Sequence, residues 1–352
     1  MEDEASKPGG QTPVACVVLG LAGAGKSSLV QRLASELSRT RTPGYFVNLD
    51  PAVADPLVSP NVDIRDSVKI KEVMTEYGLG PNGAILTSLN LFCTRFDQVL
   101  ALVQKRAHQV EILVFDTPGQ IEVFAWSASG TIISESLSSM YPTIVLFVVD
   151  IPKARHPATF VSNMLYATSI LYRLRLPVLL VFNKSDISRA ELVRKWMDDV
   201  EDLQECLAEE KNFSSTLTSS LAVALGEFYR NIRSVEVSAR TGHGFEELLT
   251  TIFEVARERR LGMESEQREA KDRERAEEEE RMRQELTRLR EARDDPWAPG
   301  TQGPNGDNFE EGIDEFSSAE KDNMDEDEEG ELKKLRTRMS KLDADRSARD
   351  QG

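Results

Sequence analysis

The feature that most constrains this chain is the glycine-rich stretch GLAGAGKS at residues 20–27. It fits the phosphate-binding pattern G-x-x-x-x-G-K-[ST]. The apolar run 14–19 before it predicts a buried strand, and the leucine spacing within 27–37 predicts a helix after it. A strand, a glycine-rich turn and a helix N-terminus together direct backbone N–H groups at an anion. The stretch therefore predicts a nucleotide phosphate site rather than a glycine turn without a ligand.

Individual residues of this loop have separate predicted roles. Lys26 is expected to reach the β- and γ-phosphates, and the Ser27 hydroxyl is expected to bind Mg²⁺. The remaining residues expected to hold the nucleotide phosphates are Gly23, Ala24, Gly25 and Ser28. These roles make Mg²⁺ the expected cofactor and a nucleoside triphosphate the expected substrate.

Strands and helices are predicted to alternate along the first three quarters of the chain. Besides 14–19, the predicted strands are 45–49, 110–115, 143–149, 178–182 and 234–237. Several of them are apolar at consecutive positions, which is typical of a parallel sheet covered on both faces. The predicted fold is therefore an α/β P-loop NTPase, with a mostly parallel sheet and helices on both faces. Ligand chemistry is expected at the carboxyl ends of its strands.

Some segments between the strands have weaker local signals. Residues 52–66 hold two prolines and predict a loop, and the Gly-Pro-Asn-Gly sequence at 80–83 predicts a turn. Single helices are predicted over residues 89–107, 189–210 and 244–259.

Charge divides the chain into parts. Of the formal net charge of −17, a net −12 lies in residues 261–352, which hold few apolar residues. Such a composition is typical of disorder. The sequence predicts a flexible N-terminus over 1–13 and a nucleotide-binding domain over 14–260. A charged, exposed helix over 261–295 and a disordered acidic tail over 296–352 follow.

Composition also limits the expected partners and compartment. The acidic balance argues against direct nucleic-acid binding, which needs a basic footprint. No run of 18 apolar residues and no apolar leader is present, so neither a membrane partner nor a signal peptide is expected. The three scattered cysteines form no disulfide or zinc pattern, which indicates a reducing compartment.

The sequence DTPGQ at residues 116–120 fits the pattern D-x-x-G, with its aspartate at the end of a predicted strand. In P-loop enzymes an aspartate placed like Asp116 holds Mg²⁺, and the Gly119 N–H can sense the γ-phosphate. Gln120 is expected to orient the attacking water, and Glu122 to accept a hydrogen bond from that water. The alternative for these last two residues is an ordinary polar loop.

The sequence NKSD at residues 183–186 fits N-K-x-D and follows an apolar strand. The Asp186 carboxylate can accept hydrogen bonds from guanine N1–H and the exocyclic amine, which adenine does not offer in that arrangement. Asn183 is expected to brace the loop or to touch the base, and the Lys184 stem to cover the face of the base. The backbone N–H of Ala239, after the last strand, is expected to reach guanine O6. These motifs together predict GTP rather than ATP as the ligand. A nucleotide kinase also has a phosphate-binding loop of this kind, but it would leave N-K-x-D without a role.

Asp50 ends the second predicted strand, before Pro51. An aspartate there is placed to join the Mg²⁺ shell or to position water. The alternative is a simple turn aspartate, because turns favour aspartate before proline.

Taken in order, residues 20–27, 50–52, 80–82, 116–120 and 183–186 resemble the GPN-loop GTPases, a dimeric class of P-loop GTPases related to those of the signal recognition particle. The resemblance covers about residues 14–258, and the long tail is similar to that of the largest eukaryotic members. It implies GTP hydrolysis to GDP and phosphate, with Asp50, Gln120 and Glu122 setting the water and Asp116 the metal. It also implies that Asn82 reaches the partner's nucleotide across a pseudo-twofold interface.

The same resemblance implies partners and a location. The chain would form a homodimer, or a heterodimer with a paralogous GPN-loop GTPase. It would act on RNA polymerase II subunits as an assembly switch, in the cytoplasm with shuttling to the nucleus. Two alternatives stay open from the residues alone: a monomeric Ras-like regulatory GTPase, and a nucleotide-dependent adaptor that works through its acidic tail.

Overall fold

The computed structural model describes residues 12–54, 56–209 and 213–293. The chain divides between Met263 and Glu264 into two units, and the sheet belongs to the first of them. Most of the predicted flexible N-terminus and the whole predicted acidic tail lie outside the described residues. The domain boundaries drawn from the sequence therefore stay a prediction.

Seven parallel strands form one sheet in the part of the chain that the structure describes. The strands are β1 Val14–Gly20, β2 Gly44–Asn48, β3 Val62–Asp63, β4 Ile112–Asp116, β5 Thr143–Asp150, β6 Val178–Asn183 and β7 Ser234–Glu236. Their spatial order is β3-β2-β4-β1-β5-β6-β7, and every pairing is parallel. The strand that precedes the glycine-rich loop is thus the central one.

Helices connect these strands. They are α1 Lys26–Thr40, α2 Ile64–Ser67, α3 Ile70–Glu76, α4 Pro81–Cys93, α5 Phe96–Ala107, α6 Ile121–Ala125, α7 Ala128–Met140, α8 Ile151–Ala154, α9 Pro157–Leu174, α10 Glu191–Asp198, α11 Val200–Glu209, α12 Phe213–Asn231 and α13 Phe245–Arg293. None of the helices in the described ranges is both long and apolar enough to cross a membrane.

Apolar side chains cover the sheet on both faces. Along β1, Val17 and Leu19 belong to one buried cluster, whereas Cys16 and Val18 belong to the other. This alternation follows from the two-residue period of a strand. Side chains of α1 and α13 pack on the second face, and those of α7 and α9 on the first. The predicted fold class is confirmed.

The predicted turn at residues 80–83 is wrong, because α4 begins at Pro81. Proline suits the first position of a helix: its fixed φ is helical, and the N–H that it lacks has no partner there anyway. The predicted loop over 52–66 is also only partly correct. The strand β3 and the start of α2 lie within it, and the Asp63 carboxylate caps α2 by accepting from Arg65 N.

Two of the helices predicted as single are each divided in two. The predicted helix 89–107 is interrupted after Cys93, where the Thr94 hydroxyl donates to the Leu91 carbonyl at 2.7 Å. The predicted helix 189–210 is interrupted at Asp199, whose carboxylate accepts from Glu201 N at 2.9 Å. Such local side-chain bonds compete with the helical ladder. The helix predicted over 244–259 instead continues to Arg293.

Candidate nucleotide-binding site

The glycine-rich loop joins β1 to α1 through two residues in left-handed conformations. Gly23 has φ 79° and Gly25 has φ 93°, and Gly25 is the residue that precedes the first turn of α1. A Cβ atom at Gly25 would lie 2.6 Å from Nδ2 of Asn183. Both the left-handed backbone conformation and the close approach of the Asn183 side chain therefore require glycine at this position.

Lys26 connects the glycine-rich loop to the D-x-x-G segment. Its Nζ donates to the Gly20 carbonyl at 2.7 Å and to the Gly119 carbonyl at 3.0 Å, and the residue is 7% exposed. Burial lowers the pKa of this ammonium group, and the negative charges of Asp116 and Asp50 oppose that effect. The arrangement concentrates positive charge between the two segments, where a phosphate group would be stabilised.

Asp116 ends β4 and carries a buried oxygen, Oδ1, without a hydrogen-bond partner in the described structure. Burial raises the pKa of this carboxyl group to about 7, the charge of Asp50 adds to the rise, and Lys26 opposes it. A small cavity of about 30 Å³ is lined in part by Asp116 and Ser27. This volume exceeds the roughly 10–15 Å³ that one water needs.

These residues fit Mg²⁺. An unpaired buried carboxylate oxygen is costly, and a hard cation with oxygen ligands would satisfy it. The described residues contain no group of three or more His, Cys, Asp or Glu placed to hold a metal by themselves. Ser27 and Asp116 would therefore share the ion with phosphate oxygens and water, as in other P-loop proteins.

Asp50 lies just beyond β2, and its carboxylate is close to the charged groups of Lys26 and Asp116. Its Oδ1 accepts from Ala52 N at 2.9 Å. Burial raises the pKa of this carboxyl group, while the Ala52 and Gly119 N–H groups and the charge of Lys26 oppose the rise. The structure thus brings Asp50 and Asp116 together beside Lys26, as the sequence predicted from their positions at strand ends.

The Asn183 side chain connects the glycine-rich loop to the two loops predicted to bind the base, which are residues 183–186 and the segment at Ala239; these two are called the base-binding loops. Its side chain is 2% exposed. Nδ2 donates to the Ala24 carbonyl at 3.1 Å, while Oδ1 accepts from Lys184 N at 2.8 Å and from Ala239 N at 3.1 Å. Three of the segments predicted to hold the nucleotide meet at this one amide, so Asn183 occupies the bracing position, which is one of the two roles predicted for it.

Lys184 and Asp186 line the cavity beside this brace. Lys184 Nζ donates to the Gly23 carbonyl at 2.9 Å and to Oδ2 of Asp150 at 2.7 Å. The Ser238 hydroxyl donates to Oδ1 of Asp186 at 2.7 Å, which orients the carboxylate. The cavity has a volume of about 610 Å³, within the range typical of small-molecule sites. Its lining includes Gly25, Ser28, Asn183, Lys184, Asp186 and Ala239.

The three remaining predicted site residues, Gln120, Glu122 and Asn82, are exposed at the protein surface. Gln120 is exposed and immediately precedes α6, and Glu122 is exposed in the first turn of that helix. Oε1 of Glu122 accepts from the Tyr166 hydroxyl at 3.2 Å. Asn82 is exposed in the first turn of α4. Within the described ranges, neither Gln120 nor Asn82 makes a side-chain hydrogen bond to the rest of the site.

Sequence reasoning missed residues that support the site. Thr117 is buried, and its hydroxyl donates to the Val18 carbonyl at 2.6 Å, which fastens the D-x-x-G segment to β1. Asp150 holds Lys184 and ends β5, so its position at a strand end was a signal that could have identified it. Tyr166 carries no such signal, because it reaches Glu122 from α9, 44 positions further along the chain.

Comparisons with known proteins cover this same part of the chain. Residues 18–258 match a family model described as "Conserved hypothetical ATP binding protein". The chain is 49% identical over 240 residues to GPN-loop GTPase 1 of Dictyostelium discoideum, with 68% of this chain and 61% of that protein covered. It is 51% identical over 241 residues to GPN-loop GTPase QQT2 of Arabidopsis thaliana, with 68% and 64% covered.

Two further similarities bear on the family and the fold. GPN-loop GTPase 1 of Schizosaccharomyces pombe is 45% identical over 249 residues, which are 68% of each protein. An apo crystal structure of a GTPase from Pyrococcus abyssi superposes with a TM-score of 0.61 at 27% identity, covering 68% of this chain and 96% of that one. The chain spans 61% and 64% of the Dictyostelium and Arabidopsis relatives. Because the family model matches residues 18–258 and these GPN-loop GTPases are 45–51% identical over 240 or more residues, the chain belongs to the GPN-loop GTPase family.

Proposed function

We propose that this protein binds GTP with Mg²⁺ and hydrolyses it to GDP and phosphate. The observation that carries the proposal is the three-way connection at Asn183, whose amide bonds the glycine-rich loop at Ala24 and the two base-binding loops at Lys184 and Ala239. One ligand that spans the cavity at Asp186 and the phosphate loop at Lys26 would contact all three segments. A nucleoside triphosphate has that length and that distribution of charge.

The choice of guanine rests on Asp186. Its carboxylate borders the 610 Å³ cavity and is held by Ser238, so it presents acceptor oxygens to the base. Guanine supplies the matching N1–H and amine donors, whereas adenine would cover the carboxylate without supplying those two donors. Sites of this kind reject the analogue that lacks the donor by about 10⁴ or more. The ATP in the description of the family model is therefore not the nucleotide that we propose.

Hydrolysis is assigned to the residues around Lys26. Lys26 and the backbone N–H groups of the loop would hold the γ-phosphate, and Gln120, Glu122 and Asp50 would place the attacking water. A bound Mg²⁺ ion, held by Ser27 and Asp116, would neutralise the charge that develops on the phosphate oxygens.

The test is steady-state turnover of the purified full chain with GTP and with ATP. Wild-type protein is expected to hydrolyse GTP in preference to ATP. Gln120→Leu should lower kcat while the dissociation constant for a non-hydrolysable GTP analogue stays within about twofold, because only transition-state placement of water is lost. The matched control is Gln98→Leu, at an exposed glutamine of α5 away from the site. Wild-type turnover of Gln120→Leu would refute the assigned role.

We also propose that the GTPase works as a dimer, with itself or with a paralogous GPN-loop GTPase. Asn82 is exposed at the start of α4, which leaves its amide free to face a second copy. Light scattering on the chain loaded with GTP analogue should give a dimer mass, and Asn82→Ala should weaken it. A monomer mass at all concentrations would favour a Ras-like monomeric switch instead.

The family resemblance further supports a role in RNA polymerase II assembly, with the protein moving between cytoplasm and nucleus. Affinity capture from lysate should be run with the chain loaded with GTP analogue or with GDP. Polymerase subunits captured in one nucleotide state only would support an assembly switch. Their absence in both states would refute this part of the proposal and leave the GTPase chemistry unaffected.

A further inference from the structure

We infer that Arg65, acting through Asp63 and Asn48, is a positioning residue for Asp50 in hydrolysis. The inference rests on the proposed function, which assigns Asp50 to the attacking water. None of these three supporting residues belongs to the motifs that identify the nucleotide site. The structure nevertheless joins them to Asp50 in one continuous chain of hydrogen bonds.

The first link is Asn48, the last residue of β2, which is 4% exposed. Its Oδ1 accepts from Asp50 N at 3.0 Å, and its Nδ2 donates to the Asp50 carbonyl at 3.2 Å. The Asn48 side chain thus bonds both the N–H and the carbonyl of the Asp50 backbone. Since β2 is bonded to β4 along its whole length, Asn48 ties Asp50 to the rigid sheet.

The second link is Asp63, the last residue of β3, which is 7% exposed. Its Oδ1 accepts from Asn48 Nδ2 at 3.0 Å, so the Asn48 amide cannot rotate without breaking a buried bond to a charged group. Burial raises the pKa of Asp63, but the hydrogen bonds from Arg65 outweigh it and hold that pKa below its usual value. Asp63 is therefore a fixed carboxylate at neutral pH.

The third link is Arg65, which uses its guanidinium in two directions. Nε and Nη2 hold the Asp63 carboxylate, with Nη2 at 2.7 Å from Oδ2. Nη1 donates to the carbonyls of Val53 at 3.1 Å and of Ala54 at 2.7 Å. Arg65 thus fastens the far end of the segment that begins at Asp50.

The consequence is that the segment 50–54 is held at both ends. Asn48 fixes its start and Arg65 its finish, and the Asp50 carboxylate itself bonds Ala52 within it. Only a planar guanidinium can bond a carboxylate on one edge and two carbonyls on the other; a lysine ammonium has three donors at one point. Arg65→Lys should therefore loosen the segment while keeping the charge.

The expected effect is on turnover rather than on binding. A displacement of about 1 Å at a catalytic group can cost about 10²-fold in rate. We expect Arg65→Lys to lower kcat about tenfold, with the affinity for a GTP analogue within about twofold of wild type. The matched control is Arg39→Lys, because the Arg39 guanidinium also makes more than one hydrogen bond, to the carboxylates of Glu36 and Glu246, at the far end of α1. It should leave kcat unchanged.

The deciding experiment is a double-mutant cycle under single-turnover conditions, with enzyme in excess over GTP. Arg65→Lys should slow hydrolysis in the wild-type background and have no further effect in an Asp50→Ala background, because the positioned group is gone. An equal effect in both backgrounds, or no effect in either, would overturn the inference. If Arg65→Lys does not fold, the isosteric Asp63→Asn variant takes its place with the same expected non-additivity.

The outcomes also separate this inference from the proposed function. If Asp50→Ala alone hydrolyses GTP at the wild-type rate, the proposed role of Asp50 fails, and the inference fails with it. If Asp50→Ala is slow while Arg65→Lys and Asp63→Asn are not, the role of Asp50 stands and only the positioning inference is refuted.

Discussion

Truncation of the Asn183 side chain is the perturbation with the most direct structural consequence. The Asn183→Ala variant loses the bond to the Ala24 carbonyl and the bonds from Lys184 N and Ala239 N, all of them at a residue that is 2% exposed. At a net value of about 1 kcal/mol for each hydrogen bond, the loss is about 3 kcal/mol of folding free energy. For a domain of this size that corresponds to a fall of about 6–12 °C in Tm.

The assay is thermal melting of the nucleotide-free full chain, followed by intrinsic tryptophan fluorescence. Asn61→Ala provides the scale, because Asn61 is exposed and its side chain makes one comparable bond, from Phe46 N at 2.8 Å. That variant should lose about a third as much, or about 2–4 °C. If Asn183→Ala melts no lower than Asn61→Ala, the bracing role is refuted.

The same variant should bind GDP more weakly. The three loops that meet at Asn183 would have to be ordered by the nucleotide instead of by the protein. If about half of the lost 3 kcal/mol is needed to restore that order on binding, affinity falls about tenfold. Fluorescent GDP titration measures this directly, and unchanged affinity would show that the loops are already positioned without the brace.

Three other variants test separate parts of the site. Asp186→Asn should reduce the preference for GTP over ATP in competition binding, because the amide presents a donor where guanine also has donors. Asp116→Asn should raise the Tm of metal-free protein in chelator. The folded pKa of about 7 lies above the ordinary aspartate pKa of 3.8, so the folded state holds the extra proton between these values and stability falls as pH rises through that window. The gain should therefore be larger near pH 8 than near pH 5. Tyr166→Phe should lower kcat by releasing Glu122, and Tyr172→Phe, an exposed tyrosine on the same helix that packs on Phe228, should not.

The sequence predicted the fold class and the positions of the motif residues because both depend on short-range patterns. Runs of apolar residues determine buried strands, and a strand followed by Gly-x-x-x-x-Gly-Lys determines a phosphate loop. Asp116 and Asn183 end their strands, and the carboxyl ends of parallel strands meet at one edge, so their proximity followed from sequence order alone. The helix breaks at Thr94 and Asp199 were also local, and attention to capping would have found them.

The tertiary structure alone decided how these residues are held. Asn183 reaches the Ala24 carbonyl across 159 positions of chain, and Tyr166 reaches Glu122 across 44. The link from Arg65 to Asp50 depends on β3 lying beside β2, and β3 is a two-residue strand with too few residues to show a periodic pattern. Contacts of this kind arise from the packing of distant elements. A single sequence therefore predicts which groups carry the chemistry, while the geometry that orients them emerges only when the sheet is assembled.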